Sequence, residues 1–207
     1  MNTRNFLRGL ALAAALLAAP LHGWANVVLE WNEVAFKAIN TARQSPPMGV
    51  RSMAVVHAAM FDAMNAIQPR YRGFRFDGTP PAGASPDAAA AVAAHSALAK
   101  LFPDQRASLD QALATTLARV PDASARDAGA GVGKTVAESL LAWCAEDRVG
   151  AATQYRPVTQ PGVYVMTTLP IGDDFGASRP WLLKSGDQFR PPPPPALTSE
   201  TWARDYN

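Results

Sequence analysis

The sequence predicts an all-α fold: a helical bundle of about five helices, then a Pro-rich extended arm and a truncated C-terminal helix. Three observations carry that prediction. The chain of 207 residues holds 41 alanines against 14 glycines, a strong bias toward the best helix former. Apolar residues recur at steps of three and four through five segments. Short turns containing proline or glycine separate those segments, as in a packed helical array. An apolar content of 48% excludes a disordered chain. A single cysteine excludes a disulfide scaffold and any multi-thiolate zinc or iron–sulfur site. No apolar run reaches the ~20 residues of a membrane-spanning helix, so no transmembrane segment is expected.

Residues 1–25 read as a signal peptide. Arg4 and Arg8 precede the apolar run from Gly9 to Leu21, and Gly23-Trp24-Ala25 offers small residues at a cleavage site after Ala25. The protein is therefore expected to be exported, periplasmic or extracellular. Residues 26–150 are the bundle. Val28 to Ala42 has helical spacing and ends before Pro46-Pro47. Val50 to Ile67 carries Met53, Val56, Met60, Met64 and Ile67 on one stripe and stops before Pro69. Ser85-Pro86-Asp87 opens an alanine-dense helix that reaches Phe102. Pro103-Asp104 opens another, with Leu109, Leu113 and Leu117 spaced by four. Asp122 to Glu146 is the fifth, carrying Val132, Val136, Leu140 and Trp143.

Character changes after Gly150. Nine of the 18 prolines fall between Pro157 and Pro195, and Pro191 to Pro195 must be extended. Tyr164, Leu169, Phe175, Trp181, Leu182 and Phe189 make residues 151–197 too apolar for a solvated linker, so an ordered arm is expected. Thr198-Ser199-Glu200 starts a new helix at residues 198–207, with Thr198 as its cap and Trp202 and Tyr206 on one face. Little more than two turns precede Asn207, too few for a stable isolated helix. The chain reads as cut off there.

Net charge argues against a polyanionic partner. The formal charge is +2, and residues 1–25 hold two arginines and no acid, so the mature side chains sum to zero. Nucleic acid is not an expected partner. Cys144, in the apolar stretch Leu140 to Cys144, reads as a buried small hydrophobe.

Few residues suggest chemistry. Gly129-Ala130-Gly131-Val132-Gly133-Lys134-Thr135 has the look of a phosphate loop, but Ala128 stands where the motif needs glycine, and a helix start precedes it. A helix with small residues at a close crossing is the better reading. His57 and Asp62 are five apart, roughly 140° around a helix, and cannot chelate one metal from one face. Asp62 and Asn65 share a face and suit capping of neighbouring backbone. His57, Asp62 and Asn65 are therefore read as structural polar residues, as is His95. No metal ligand set and no catalytic residue is assigned. Lys184-Ser185-Gly186-Asp187 with Arg190, joined by Arg179, is the one candidate anion cluster. It lacks a histidine to serve as nucleophile or ligand, and a turn ahead of the proline run is the favoured reading.

Four stretches are specific in combination: Val28-Leu29-Glu30-Trp31-Asn32-Glu33-Val34; Met53-Ala54-Val55-Val56-His57-Ala58-Ala59-Met60-Phe61-Asp62-Ala63-Met64-Asn65-Ala66-Ile67; Leu101-Phe102-Pro103; and Asp187-Gln188-Phe189-Arg190-Pro191 with its proline run, continued by Leu197-Thr198-Ser199 and Asp205-Tyr206-Asn207. In this order they resemble the N-terminal half of bacterial vanadium-dependent haloperoxidase-like proteins, of the type 2 phosphatidic acid phosphatase superfamily. The resemblance implies a vanadate or phosphate site in a C-terminal half, built from lysine, arginine and histidine motifs. None of those motifs maps onto this chain. Lys184 to Pro191 is one residue short of the first of them, and Asp187 stands where histidine is needed. The resemblance thus implies no cofactor in this chain, vanadate if the C-terminal half is present, and that half or a homologous helical partner as the binding partner. A stand-alone helical module that binds a partner through the Tyr164–Phe189 arm is the alternative.

Overall fold

The computed structural model describes residues 26–150, 156, 158–168 and 172–206. The expected signal peptide, its cleavage point, Leu169 and Asn207 lie outside the described residues. Six α-helices run in order: α1 (Val27–Thr41), α2 (Pro46–Ile67), α3 (Pro86–Leu101), α4 (Arg106–Leu117), α5 (Ala123–Cys144) and α6 (Glu200–Tyr206). Short 3₁₀ turns occupy Pro103–Gln105 and Asp173–Ala177. The fold is all-α, with no strand among the described residues.

Local chemistry sets the helix starts. Asn26 Oδ1 accepts from Val28 N at 2.9 Å, Ser85 Oγ from Ala88 N at 3.2 Å and Asp122 Oδ1 from Ala125 N at 3.0 Å. Each such cap contributes about 1 kcal/mol. Helix α2 begins at Pro46, four residues before the expected Val50. Proline has no N–H to donate, and the first turn of a helix needs none, so Pro46-Pro47 opens this helix rather than breaking it. Helix α6 is capped by Ser199, whose Oγ accepts from Trp202 N at 3.1 Å, and not by the expected Thr198. Its Trp202 and Tyr206 rings stack at 6.2 Å.

Helix α3 is the centre of the bundle, packed against α1, α2, α4 and α5. Its buried residues are seven alanines with His95 and Leu98, so almost every side offers only a methyl group. Neighbours must approach closely or leave voids, and protein interiors are close-packed. Helix α5 meets this demand with Gly129 and Gly133. A Cβ at Gly133 would lie 2.3 Å from Ala89 O, and one at Gly129 would lie 2.3 Å from Ser85 O. Two of the three glycines of the loop-like motif, Gly129 and Gly133, are thus the contact surface of a helix crossing. Around this seam sit the larger core residues, among them Trp31, Met60, Leu109 and Leu140.

Gly133→Ala should therefore overpack the seam and destabilise the protein by about 1–3 kcal/mol, read from chemical unfolding. Gly131→Ala, whose new methyl meets nothing within 4 Å, should instead be neutral or stabilising by up to about 1 kcal/mol.

Candidate functional site

Two buried carboxylates organise the surface end of the bundle. Asp62, on α2, is almost fully buried. Its Oδ1 accepts from Phe74 N and its Oδ2 from Arg75 N, both at 2.7 Å. One turn on, Asn65 Oδ1 accepts from Arg70 N and Tyr71 N at 3.0 Å each, while Nδ2 donates to Tyr71 O at 2.8 Å. The pair thereby shapes the loop that leaves α2. Backbone N–H groups with no helix or sheet to join are satisfied by side chains one helical face supplies.

The second carboxylate is Asp147, just beyond α5 and equally buried. Arg51 Nη2 reaches its Oδ2 at 2.8 Å, Trp181 Nε1 donates to the same oxygen at 3.0 Å, and Arg179 Nη2 reaches Oδ1 at 3.2 Å. Arg179 N also donates to the Asp147 carbonyl at 3.0 Å. A lone carboxylate here would cost several kcal/mol in lost hydration, and the two guanidiniums and the indole offset that cost. Above them Phe74, Trp143 and Trp181 form an aromatic cluster with centroids 5.4–5.8 Å apart. Arg75 and Arg179 place their guanidiniums 3.9 and 4.4 Å from the Trp143 ring centre. Asp62 fixes Phe74 and Arg75, Asp147 fixes Arg179 and Trp181, and the arm is fastened where the two meet.

The histidines are held separately. His57 Nε2 lies 3.1 Å from Asn32 Oδ1, between α2 and α1. His95 Nε2 lies 2.6 Å from Asp110 Oδ1, between α3 and α4, and Arg106 Nε joins the same oxygen at 2.9 Å. The His95 hydrogen bond, then that of Arg106, holds the Asp110 carboxyl below its usual range. Neither histidine faces a serine, threonine or cysteine in these bonds. No group of three metal-ligating side chains occurs among the described residues.

Of the candidate anion residues, Arg179 is turned to Asp147 and Glu146. Lys184 and Arg190 are exposed and belong to a turn. Lys184 N donates to Gln188 Oε1 at 2.7 Å, and Arg190 N donates to Asp187 O at 2.9 Å. Ser185, the Asp187 backbone and Arg190 hold the Asp187 carboxyl below its usual range. With its best guanidinium committed to carboxylates, this set does not fit vanadate or phosphate.

In comparison with known proteins, the chain matches no family model, no curated protein and no solved structure.

The convergence of Arg51, Arg179 and Trp181 on Asp147 escaped the sequence reading. One signal was present: Asp147 stands four residues past Trp143, continuing the stripe of Val136, Leu140 and Trp143 beyond the helix end. An acid on an apolar stripe calls for a cation, but Arg51 and Arg179 are 96 and 32 residues away. Only the fold pairs them.

Asp147→Ala, which leaves Arg51 and Arg179 without their shared partner, should cost about 3–5 kcal/mol in chemical unfolding. It should also free the arm to early proteolysis near Trp181. Burial, then the Asp147 charge, pushes the Cys144 thiol up to about 11 from 9.0. The native thiol should therefore resist iodoacetamide at pH 8 and react on unfolding. Its raised value contributes stability that is full below pH 9 and declines as pH rises toward 11, because the unfolded thiol ionises first. Cys144→Ala should flatten that part of the stability–pH curve.

Proposed function

We propose that this chain is the exported N-terminal helical portion of a haloperoxidase-like or acid-phosphatase-like protein, inactive alone, whose arm docks the helical body that carries the oxyanion site. The arm is the observation that carries the reading. It is fastened at Arg179 and Trp181, yet beyond that point Leu182 is 85% exposed, Phe189 77% and Tyr206 79%. Leu183, Leu197 and Trp202 are exposed with them. Anchored backbone with a run of unburied apolar side chains suits a second surface, since solvated segments carry few such residues.

The resemblance adds support. Its Val28–Val34 stretch lies on α1 and its Met53–Ile67 stretch on α2, and these two helices pack together. Its Leu101–Phe102–Pro103 stretch closes α3 where Phe102 is buried. The engagement of Arg179 by Asp147 supports reading the arm as a binding element.

A second reading, a stand-alone periplasmic module that binds a separate helical partner, uses the same arm. The mass of the protein as its native host exports it separates the two. A mass larger than residues 26–207 by a second helical half is expected. A mass equal to residues 26–207 would favour the module. In either case the 207-residue chain should show no vanadate-dependent bromide oxidation, and turnover by this chain alone would overturn both.

A further inference from the structure

A cavity of about 390 Å³ opens between α1, α2 and the loop after α2. That volume falls within the roughly 300–1,000 Å³ of small-molecule pockets. Its body is apolar, with Val28 from α1 and Met60, Phe61 and Met64 from α2. Its rim is polar, formed by His57, Arg70 and Tyr71 among others. It uses no residue of the arm and no residue of the Asp147 cluster.

The rim is positioned rather than loose. Asn65 makes three hydrogen bonds to the backbone of Arg70 and Tyr71, which fixes where both side chains leave the chain. The Tyr71 ring leans on Phe61 at 6.3 Å. Asn32 holds the His57 ring at 3.1 Å. Binding to groups already held in place loses less entropy on association. Arg51, Arg119 and Arg179 each meet a carboxylate, but the Arg70 guanidinium has no acid partner among the described residues. An unpaired cation beside an apolar, methionine-lined pocket matches a ligand with an apolar body and one anionic head.

We propose that this cavity binds a small amphipathic carboxylate, its ring or chain between Met60, Met64 and Phe61 and its carboxylate on Arg70. The site stands whether or not the arm docks a second helical body.

The test uses the full chain carrying ¹³C-methyl methionine, titrated with 2-naphthoate and with its neutral analogue 2-naphthamide. The Met60 and Met64 methyl signals report the cavity directly, and those of Met53 and Met166 serve as references. Saturable shifts of Met60 and Met64 with 2-naphthoate are expected. Arg70→Gln should weaken 2-naphthoate about tenfold and leave 2-naphthamide unchanged. Met64→Trp, which fills the pocket, should abolish binding of both. Arg70 lies on the exposed rim, so its variant keeps the fold and decides the outcome even if Met64→Trp disturbs α2. Absence of saturable shifts at millimolar ligand, or equal 2-naphthoate affinity in Arg70→Gln, would overturn the proposal.

Discussion

The closeness of α3 and α5 is the constraint on which the rest of this fold depends. Helix α3 presents methyl groups in nearly every direction, so its neighbours cannot be held off by large side chains. Gly129 and Gly133 let α5 bring its backbone against Ser85 and Ala89. Ser85 N also donates to Ala125 O at 2.8 Å, a direct tie between the starts of the two helices. Such a seam gains little from any one side chain, since a single buried methyl contributes roughly 0.8 kcal/mol. Its strength is the sum of many close dispersion contacts, which require the two helices to keep their spacing. Once α5 lies there, its C-terminal end stands beside Arg51 of α2, and the position of Asp147 follows.

Polar residues then do locally what the apolar seam does globally. Asp62 and Asn65 take up backbone N–H groups of a loop that has no regular structure of its own. Asp147 gathers Arg51 from α2 and Arg179 and Trp181 from the arm, two distant parts of the chain. Glu30 of α1 similarly accepts from Thr116 of α4 at 2.9 Å and pairs with Arg119 in the turn just past that helix. In each case an acid in a half-dry place obliges specific donors to come to it, because leaving it unpaired costs more than ordering the donors. The aromatic cluster of Phe74, Trp143 and Trp181 forms where two of these assemblies meet, so the arm is fastened by charge and by ring contact together.

Functionally the molecule divides into a closed interior and two open surfaces. The interior is a seam of alanines and larger apolar side chains. One open surface is the arm beyond Trp181, apolar and exposed. The other is the cavity at the α1–α2 edge, where Asn65 and Asn32 steady the rim. Both owe their placement to side chains that the core does not need for packing.

By itself the sequence determined the helical class and most helix limits, because periodicity and capping act within a few residues of the chain. The starts at Ser85 and Asp122 and the stop before Pro69 are local events, readable from residue type alone. Where local rules allowed two outcomes, the reading slipped. Pro46-Pro47 can close one helix or open the next, and the packing of Gly49 and Ser52 in the core settles it as an opening. Asp62 and Asn65 could be seen as partners on one face, but the backbone groups they bind could not be named. Tertiary structure alone decided that Arg179 faces Asp147 and that Arg70 stands by an apolar cavity. The first joins residues 32 apart in the chain, and the second needs Val28 of α1 set against α2; only the spacing of packed helices brings such groups together.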